Sequence, residues 1–206
     1  SNLAVDSPAG DPYVTGVGGT YLNANPQSGR YHGESAWNDQ YGASGGGFST
    51  IYSRPGFQSG FVVGSTQRGV PDVAYDGDVN GGVLAVWSSS GLGPNLVFIF
   101  GGTSAGSPQW AAMLALVNTN FGRQGDINPL LYKGFSRHGN GQFFHDIVVG
   151  TNTFTGAGSN GVTVTINGYN TRQGWDAVTG LGTLDLGNTF FGPPSAAGAS
   201  LWVHNK

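Results

Sequence analysis

The sequence predicts an α/β domain with a largely parallel sheet. Short apolar runs of strand length alternate with glycine-rich turns along the chain, and one long helix is apolar on nearly every side. Continuous hydrophobic strands and an all-round hydrophobic helix are typical of elements that are buried on both faces. Parallel α/β sheets provide that burial.

Each predicted strand has a local signal. Residues 13–17 are predicted to form a buried strand that two following glycines close. Residues 83–87 and 96–100 are apolar runs bounded by Gly and Ser, and residues 162–166 alternate strictly before an Asn-Gly turn. Such runs between turn residues indicate strands.

The long helix is predicted to begin near Ser104, with Pro108 in its first turn, where a missing N–H costs nothing. Residues 110–117 continue it as an unbroken apolar stretch, and an Asn or Gly within residues 120–122 can end it. A shorter helix is expected around residues 128–132.

Composition excludes several classes of function. The 206 residues include no Cys, which excludes disulfides, thiol nucleophiles and cysteine-ligated metals. The 8 Lys and Arg residues are scattered, so no basic surface for nucleic acid is expected. The most apolar stretch, residues 96–100, is too short to cross a membrane.

Only 9% of the residues are charged. Few charges limit self-repulsion when carboxylates are protonated, so the composition is compatible with an extracellular protein exposed to acid. The alternative is that Gly- and Asn-rich secreted proteins are charge-poor for other reasons. The chain opens with neither an initiator Met nor a signal peptide, and we interpret it as processed or excised.

A serine that follows a strand and paired glycines makes the sharpest candidate site. Residues 100–108 read Phe-Gly-Gly-Thr-Ser-Ala-Gly-Ser-Pro. Glycines let a substrate backbone approach, and free N–H groups at a helix N-terminus favour a developing oxyanion. We predict that Ser104 is a catalytic nucleophile; the alternative is that Thr103 or Ser104 only caps the helix.

The Gly-Thr-Ser-x-x-x-Pro segment resembles the nucleophile motif of subtilisin-like serine peptidases. The chain more narrowly resembles the sedolisin family of serine-carboxyl peptidases. Five stretches carry the resemblance, namely residues 12–20, 34–37, 44–49 with 54–58, 68–73 and the Ser104 motif, and two later stretches, 146–147 and 174–182, follow them. The resemblance implies a subtilisin-like parallel sheet flanked by helices. Residues 1–206 would be the C-terminal part of a single peptidase catalytic domain, ending in a calcium-binding loop region.

The last of these stretches resemble the family's calcium-site segments. The resemblance implies carboxylate ligands from Asp146 and Asp176, and backbone carbonyl ligands from Ile147, Arg172 and Gly174. Oxygen ligands of this kind suit Ca²⁺. The family usually has Gly at position 172, where a guanidinium opposes a cation unless it points away. Without the flanking match, the two acids would be ordinary surface carboxylates.

A second acidic group, Asp72, Asp76 and Asp78, also invites a metal interpretation. Asp and Gly favour turns independently of metals. We therefore interpret residues 76–78 as a polar turn and Asp72 as a structural carboxylate.

The chain lacks an evident base for the nucleophile. The resemblance implies that a Glu supported by an Asp acts as the base, and that another Asp helps to form the oxyanion hole, all upstream of this chain. A carboxylate base operates in acid, where a His would be protonated. Glu34 matches a non-catalytic family segment, and nothing in the sequence places His32, His138 or His145 near Ser104.

The expected function is that of an acid-acting endopeptidase or tripeptidyl peptidase, working through an acyl-enzyme on Ser104. Its expected partners are an N-terminal segment or chain of the same peptidase and its peptide or protein substrates, in a secreted setting. By resemblance, residues 7–9 could border the main specificity pocket. Two alternatives stay open: an inactive structural or binding module of the same fold, and a subtilisin-type peptidase with a His base.

Overall fold

The computed structural model describes residues 5–138, 143–157, 161–191 and 201–202, with the side chains of all but 136–138 and 190–191. The strands are β1 (Val17–Ala24), β2 (Tyr31–Ala36), β3 (Gly47–Ser53), β4 (Gln67–Val70), β5 (Val73–Asp76), β6 (Val83–Val86), β7 (Val97–Phe100), β8 (Phe144–His145), β9 (Phe154–Ala157), β10 (Thr163–Ile166) and β11 (Thr183–Leu184). The helices are α1 (Thr103–Phe121) and α2 (Asn128–His138), with a 3₁₀ turn at Gly56–Gln58 and a π-helical turn at Gly187–Phe191.

The α/β class is confirmed, but the prediction of a largely parallel sheet is wrong for the described residues. Strand β1 pairs in parallel with β5, with Val17 opposite Val73, and antiparallel with β2. The other described pairs, β3–β4, β6–β7, β8–β11 and β9–β10, are all antiparallel. Parallel pairing needs a long crossover, which separates β1 from β5, whereas β6 and β7, like β9 and β10, follow each other directly in the order of elements.

Strand β1 also begins later than predicted. It starts at Val17 and runs through Gly18 and Gly19 instead of ending there. A Cβ on Gly18 would lie 2.7 Å from the Val178 carbonyl oxygen, and one on Gly19 would lie 2.8 Å from the Trp37 ring. These glycines therefore serve close packing inside a strand and not a turn.

The predicted strands at residues 83–87, 96–100 and 162–166 are confirmed as β6, β7 and β10, each shortened by a residue. Helix α1 ends where expected, with Gly122 as its C-cap at φ 79°. Pro108, however, lies five residues after Thr103, beyond the first turn. It therefore removes the helical hydrogen bond that the Ser104 carbonyl would otherwise accept.

The sequence predicts that helix α1 is buried on all sides, but in the structure one side of it is exposed. Gly106, Trp110 and Val117 are buried on the face that packs against β1 and β5, whereas Leu116 is 62% exposed. The helix thus carries apolar surface that the described residues do not cover. None of the helices in the described part of the chain has the length and hydropathy needed to cross a membrane.

Asp72 lies at the centre of the fold as a fully buried carboxylate. Arg68 donates to it twice, from Nη1 to Oδ1 at 2.7 Å and from Nη2 to Oδ2 at 2.5 Å. The Tyr132 hydroxyl of α2 donates to Oδ1 at 2.9 Å, and the Gly16 N–H before β1 donates to Oδ2 at 2.8 Å. The expected structural role of Asp72 is confirmed.

Arg68 is equally buried and is held by backbone as well as by its partner. Its Nη1 donates to the Gly69 carbonyl and its Nη2 to the Val14 carbonyl. Burial opposes the charge of Arg68, but the hydrogen bond and charge of Asp72 outweigh it, so the pKa of Arg68 is raised. Arg68 therefore keeps its charge inside the core.

Replacing Asp72 by Asn should destabilise the fold by about 3–5 kcal/mol, because it leaves the buried Arg68 charge uncompensated. Urea denaturation measures the loss, with Asp6→Asn at an exposed carboxylate as the matched control. An Asp72→Asn variant as stable as that control would contradict the central role of this ion pair.

Candidate active site

Ser104 is the second residue of α1, directly after a sharp glycine turn. Gly102 is the N-cap, with φ 79° and ψ 163°, a conformation that favours glycine. Its N–H donates to the Gly77 carbonyl at 2.6 Å, and its carbonyl accepts from the Ala105 N–H at 2.9 Å. No side chain caps the helix, so the capping interpretation of Thr103 or Ser104 is wrong.

The Ser104 side chain is open to a groove. The residue is exposed, and among the described residues its hydroxyl makes no hydrogen bond. The groove has a volume of about 330 Å³ and is lined by Val83, Phe100, Gly101, Ser104, Ala105, Pro108 and Gln109. First-turn N–H groups have no partner within a helix, so they can stabilise an anion that forms beside Ser104.

No described His or acidic side chain hydrogen-bonds to Ser104. Glu34 is held elsewhere, because it accepts hydrogen bonds from the hydroxyls of Thr20, Tyr31 and Thr183. His145 stacks on the Tyr31 ring with centroids 4.1 Å apart, and its Nε2 lies 3.9 Å from Asp185 Oδ2.

Of the two remaining candidate bases, His32 is not among the residues that line this groove. His32 is exposed on β2, and the side chain of His138 lies outside the described part of the structure.

A second, acidic cavity adjoins the Ser104 groove. It has a volume of about 510 Å³, shares Val83 and Gln109 with that groove, and includes Glu34, Asp76 and Asp185. Burial raises the pKa of Asp76 to about 6; the charges of Glu34 and Asp78 add to the rise, and the Leu22 and Asp78 N–H groups oppose it. Sequence reasoning missed this cavity because its residues come from separate strands.

The segments around Asp146 and Asp176 meet at one loop. The Gly174 N–H donates to Asp146 Oδ2 at 2.9 Å, and the Arg172 N–H donates to Asp176 Oδ2 at 3.1 Å. Ile147, next along the chain, is buried. The two carboxylates and this loop thus form a neighbourhood of hard oxygen ligands, which suits Ca²⁺.

Asp176 also closes its own loop. Its Oδ1 accepts the N–H groups of Val178 at 2.9 Å and Thr179 at 2.8 Å. Burial raises the pKa of Asp176, although these N–H groups oppose the rise, and a bound cation would lower it. In the described part of the chain, no three His or acidic side chains cluster as metal ligands, so carbonyls would have to complete a site.

Arg172 departs from the pattern that the resemblance implies. Its side chain is exposed, and its Nε donates to the Trp175 carbonyl at 3.0 Å. The guanidinium is therefore held by the Trp175 carbonyl, and the backbone carbonyl of Arg172 remains a ligand candidate.

Comparison with known proteins identifies relatives for most of the chain. No protein-family model matches it. Kumamolisin from a Bacillus species is 36% identical over 87% of this chain and 30% of its own length. Tripeptidyl-peptidase sed1 from Aspergillus fumigatus is 32% identical over 88% of this chain and 29% of its own length.

A solved structure is also similar. Sedolisin from Pseudomonas, a serine-carboxyl proteinase complexed with two molecules of pseudo-iodotyrostatin, superimposes with a TM-score of 0.71 at 32% identity. The match covers 87% of this chain and 46% of that one.

An α/β fold that presents an exposed serine in the first turn of a helix has the architecture of a serine peptidase domain. The chain belongs to the sedolisin family of serine-carboxyl peptidases. It spans about 30% of the length of the curated relatives that it matches.

Asp76 should make the fold more stable in mild acid. Its folded-state pKa of about 6 lies above the ordinary value of 3.8, so the folded state takes up a proton first as the pH falls. This contribution to stability is complete below about pH 4 and is lost as the pH rises through 6. Lowering the pH from 7 to 4 should therefore raise the urea midpoint of the wild type relative to that of Asp76→Asn. Asp6→Asn serves as the control, and an unchanged pH dependence in Asp76→Asn would contradict the assignment.

Proposed function

We propose that this chain carries the nucleophile of an acid-acting serine-carboxyl peptidase. The observation that carries the proposal is the exposed Ser104 hydroxyl, without a hydrogen bond among the described residues, at the positive end of α1. Its oxygen would attack the scissile carbonyl, and first-turn N–H groups would stabilise the oxyanion. The amine would leave with a proton, and water would then hydrolyse the acyl-enzyme on Ser104.

The base would come from outside these 206 residues. We propose a Glu–Asp pair, together with an oxyanion-hole Asp, on the N-terminal part of the same peptidase domain. Glu34 already accepts hydrogen bonds from the hydroxyls of Thr20 and Thr183, and His145 stacks on the Tyr31 ring, which supports this assignment. A carboxylate base remains ionised in acid, which fits the low charge of the chain.

The same N-terminal part would cover an exposed apolar face. This face includes side chains that are more than half exposed on both strands of the β6–β7 hairpin, namely Leu84, Val86, Val97 and Ile99, and Leu116 of α1 is a further exposed apolar side chain. An isolated two-stranded hairpin is marginally stable in water, and contiguous apolar surface usually marks an interface. Val83 and Phe100 of the same hairpin line the Ser104 groove, so the covering segment would also reach the nucleophile.

We further propose that the substrates are peptides or proteins and that the enzyme is secreted, acting in an acidic compartment outside the cell. The relatives named as tripeptidyl-peptidase and as serine-carboxyl proteinase support peptide-bond hydrolysis. Only 9% of the residues are charged, which limits self-repulsion at low pH.

Ser104→Ala should abolish peptide hydrolysis at pH 3–4 in the full-length protein that carries this chain, by roughly a thousandfold or more. Ser107→Ala, on the same helix turn, is the matched control, because its hydroxyl bonds only to the Thr103 carbonyl at 3.0 Å. Hydrolysis that survives in Ser104→Ala would refute the proposal. An optimum at neutral pH would instead favour a His base, and a full-length wild type without activity would favour an inactive binding module.

A calcium ion would fix the C-terminal loops. We propose as ligands the carboxylates of Asp146 and Asp176 and the carbonyls of Ile147, Arg172 and Gly174. The short contacts that bring both carboxylates onto one loop support this set. The ion would supply a positive charge that offsets the burial of Asp176.

Calcium should raise the melting temperature of the wild type, by the equivalent of about 2.7 kcal/mol at a concentration 100 times the Kd. Asp146→Asn keeps a side-chain acceptor for the Gly174 N–H but should lose this rise. Differential scanning calorimetry with CaCl₂ against EDTA measures it, with Asp126→Asn at an exposed carboxylate as the control. An equal calcium response in Asp146→Asn would exclude this site.

A further inference from the structure

The indole ring of Trp37 lies directly beneath the turn that leads into Ser104. A Cβ placed on Gly77 would lie 3.4 Å from Trp37 Cε3 and 3.5 Å from the Gly102 carbonyl carbon. A Cβ on Gly102 would lie 4.0 Å from Trp37 Cη2. The ring therefore lies within about one methyl group of both glycines of the bridge in which the Gly102 N–H donates to the Gly77 carbonyl at 2.6 Å.

The position of Trp37 is set by its backbone and by close packing. Its N–H donates to the Gly19 carbonyl at 3.1 Å, and its carbonyl accepts from the Ser44 N–H at 2.9 Å. Ser44 Oγ in turn accepts from the Gly19 N–H at 2.9 Å. A Cβ on Gly42 would lie only 3.0 Å from Trp37 Cη2, so the ring lies close to the Gly42 backbone on that side.

The indole nitrogen takes no part in this arrangement. Trp37 is 9% exposed, and in the described part of the structure its Nε1 has no hydrogen-bond partner. A buried donor without a partner costs free energy, so what the ring contributes at this place is its packing and not a hydrogen bond.

We infer that Trp37 is a positioning residue for Ser104. The ring supports the Gly77–Gly102 bridge, the bridge fixes the N-cap of α1, and the N-cap fixes the direction of the Ser104 hydroxyl and the first-turn N–H groups. This inference rests on the proposed function of Ser104. It does not give Trp37 a contact with substrate, since Trp37 is not among the residues that line the Ser104 groove.

The consequence is a separation of kcat from KM. A displacement of about 1 Å in a reacting group can lower a rate by roughly a hundredfold. Substrate binding in the groove uses other side chains, so KM should change little. A residue that only stabilises the fold would lower the fraction of active molecules and leave the rate per active molecule unchanged.

The test uses two variants of the full-length protein that carries this chain. Trp37→Phe removes the outer ring edge near Gly102. Gly77→Ala keeps the indole but adds a methyl group beside the ring and the bridge, with its tightest contact at Gly19 Cα, 3.2 Å away. The control is Trp87→Phe, because Trp87 is half exposed and contacts Phe98 and Ser89 on the hairpin. Active sites are titrated with a fluorophosphonate probe that labels reactive serines, and peptide hydrolysis is then measured per titrated site.

Trp37→Phe and Gly77→Ala should each lower kcat per titrated site by about ten- to a hundredfold, and should slow fluorophosphonate labelling in parallel. KM should stay within about twofold of the wild type, and Trp87→Phe should match the wild type. If Trp37→Phe does not fold, Gly77→Ala decides the question, because it leaves the indole in place.

Wild-type kcat per titrated site in both variants would overturn the inference, even if their melting temperatures fell. That result together with an inactive Ser104→Ala would leave the proposed function intact. Activity that persists in Ser104→Ala would instead refute the proposed function itself, whatever the Trp37 variants do.

Discussion

The buried ion pair of Arg68 and Asp72 is the constraint on which the rest of this fold depends. Two opposite charges without solvent access are tolerated only when nearly every donor and acceptor has a partner. Asp72 meets this requirement with side chains from β4 and α2 and with the Gly16 N–H before β1. Its backbone adds two further ties, donating to the Gly16 carbonyl at 2.9 Å and accepting from the Leu181 N–H at 2.8 Å. Elements distant in sequence are therefore fixed around one carboxylate.

The ion pair reaches the candidate active site through a single short strand. Asp72 immediately precedes β5, which runs beside β1 and ends one residue before Gly77. The Gly77 carbonyl holds the N-cap of α1, and the side chain of Tyr75 packs so closely on Gly106 that a Cβ there would lie 3.0 Å away. A nucleophile held by such closely packed and hydrogen-bonded segments needs little further ordering before it can react.

Local signals in the sequence predict local features well and distant pairings poorly. The Ser104 turn, the C-cap of α1 and the strands β6 and β7 each have a signal within a few residues, and the structure contains all four. The parallel sheet and the role of Gly18 and Gly19 depend on which distant segment packs alongside. Gly18 packs against the Val178 carbonyl and Gly19 against the Trp37 ring, and no local pattern names either partner. The acidic cavity escaped prediction for the same reason, since Glu34, Asp76 and Asp185 meet only after β2, β5 and β11 assemble.

The mismatch between the apolar sequence of α1 and its exposure bears on how the site would be completed. Helix α1 and the β6–β7 hairpin both carry apolar side chains that the described residues leave exposed, and both elements border the same groove. Ser104 lies in that groove, and none of those residues acts as a general base hydrogen-bonded to its hydroxyl. One covering segment would bury the apolar face and bring a carboxylate to the serine at the same time. A segment with only one of these roles would leave either the exposed face or the unassisted nucleophile without explanation. The physical need for cover and the chemical need for a base therefore point to the same partner.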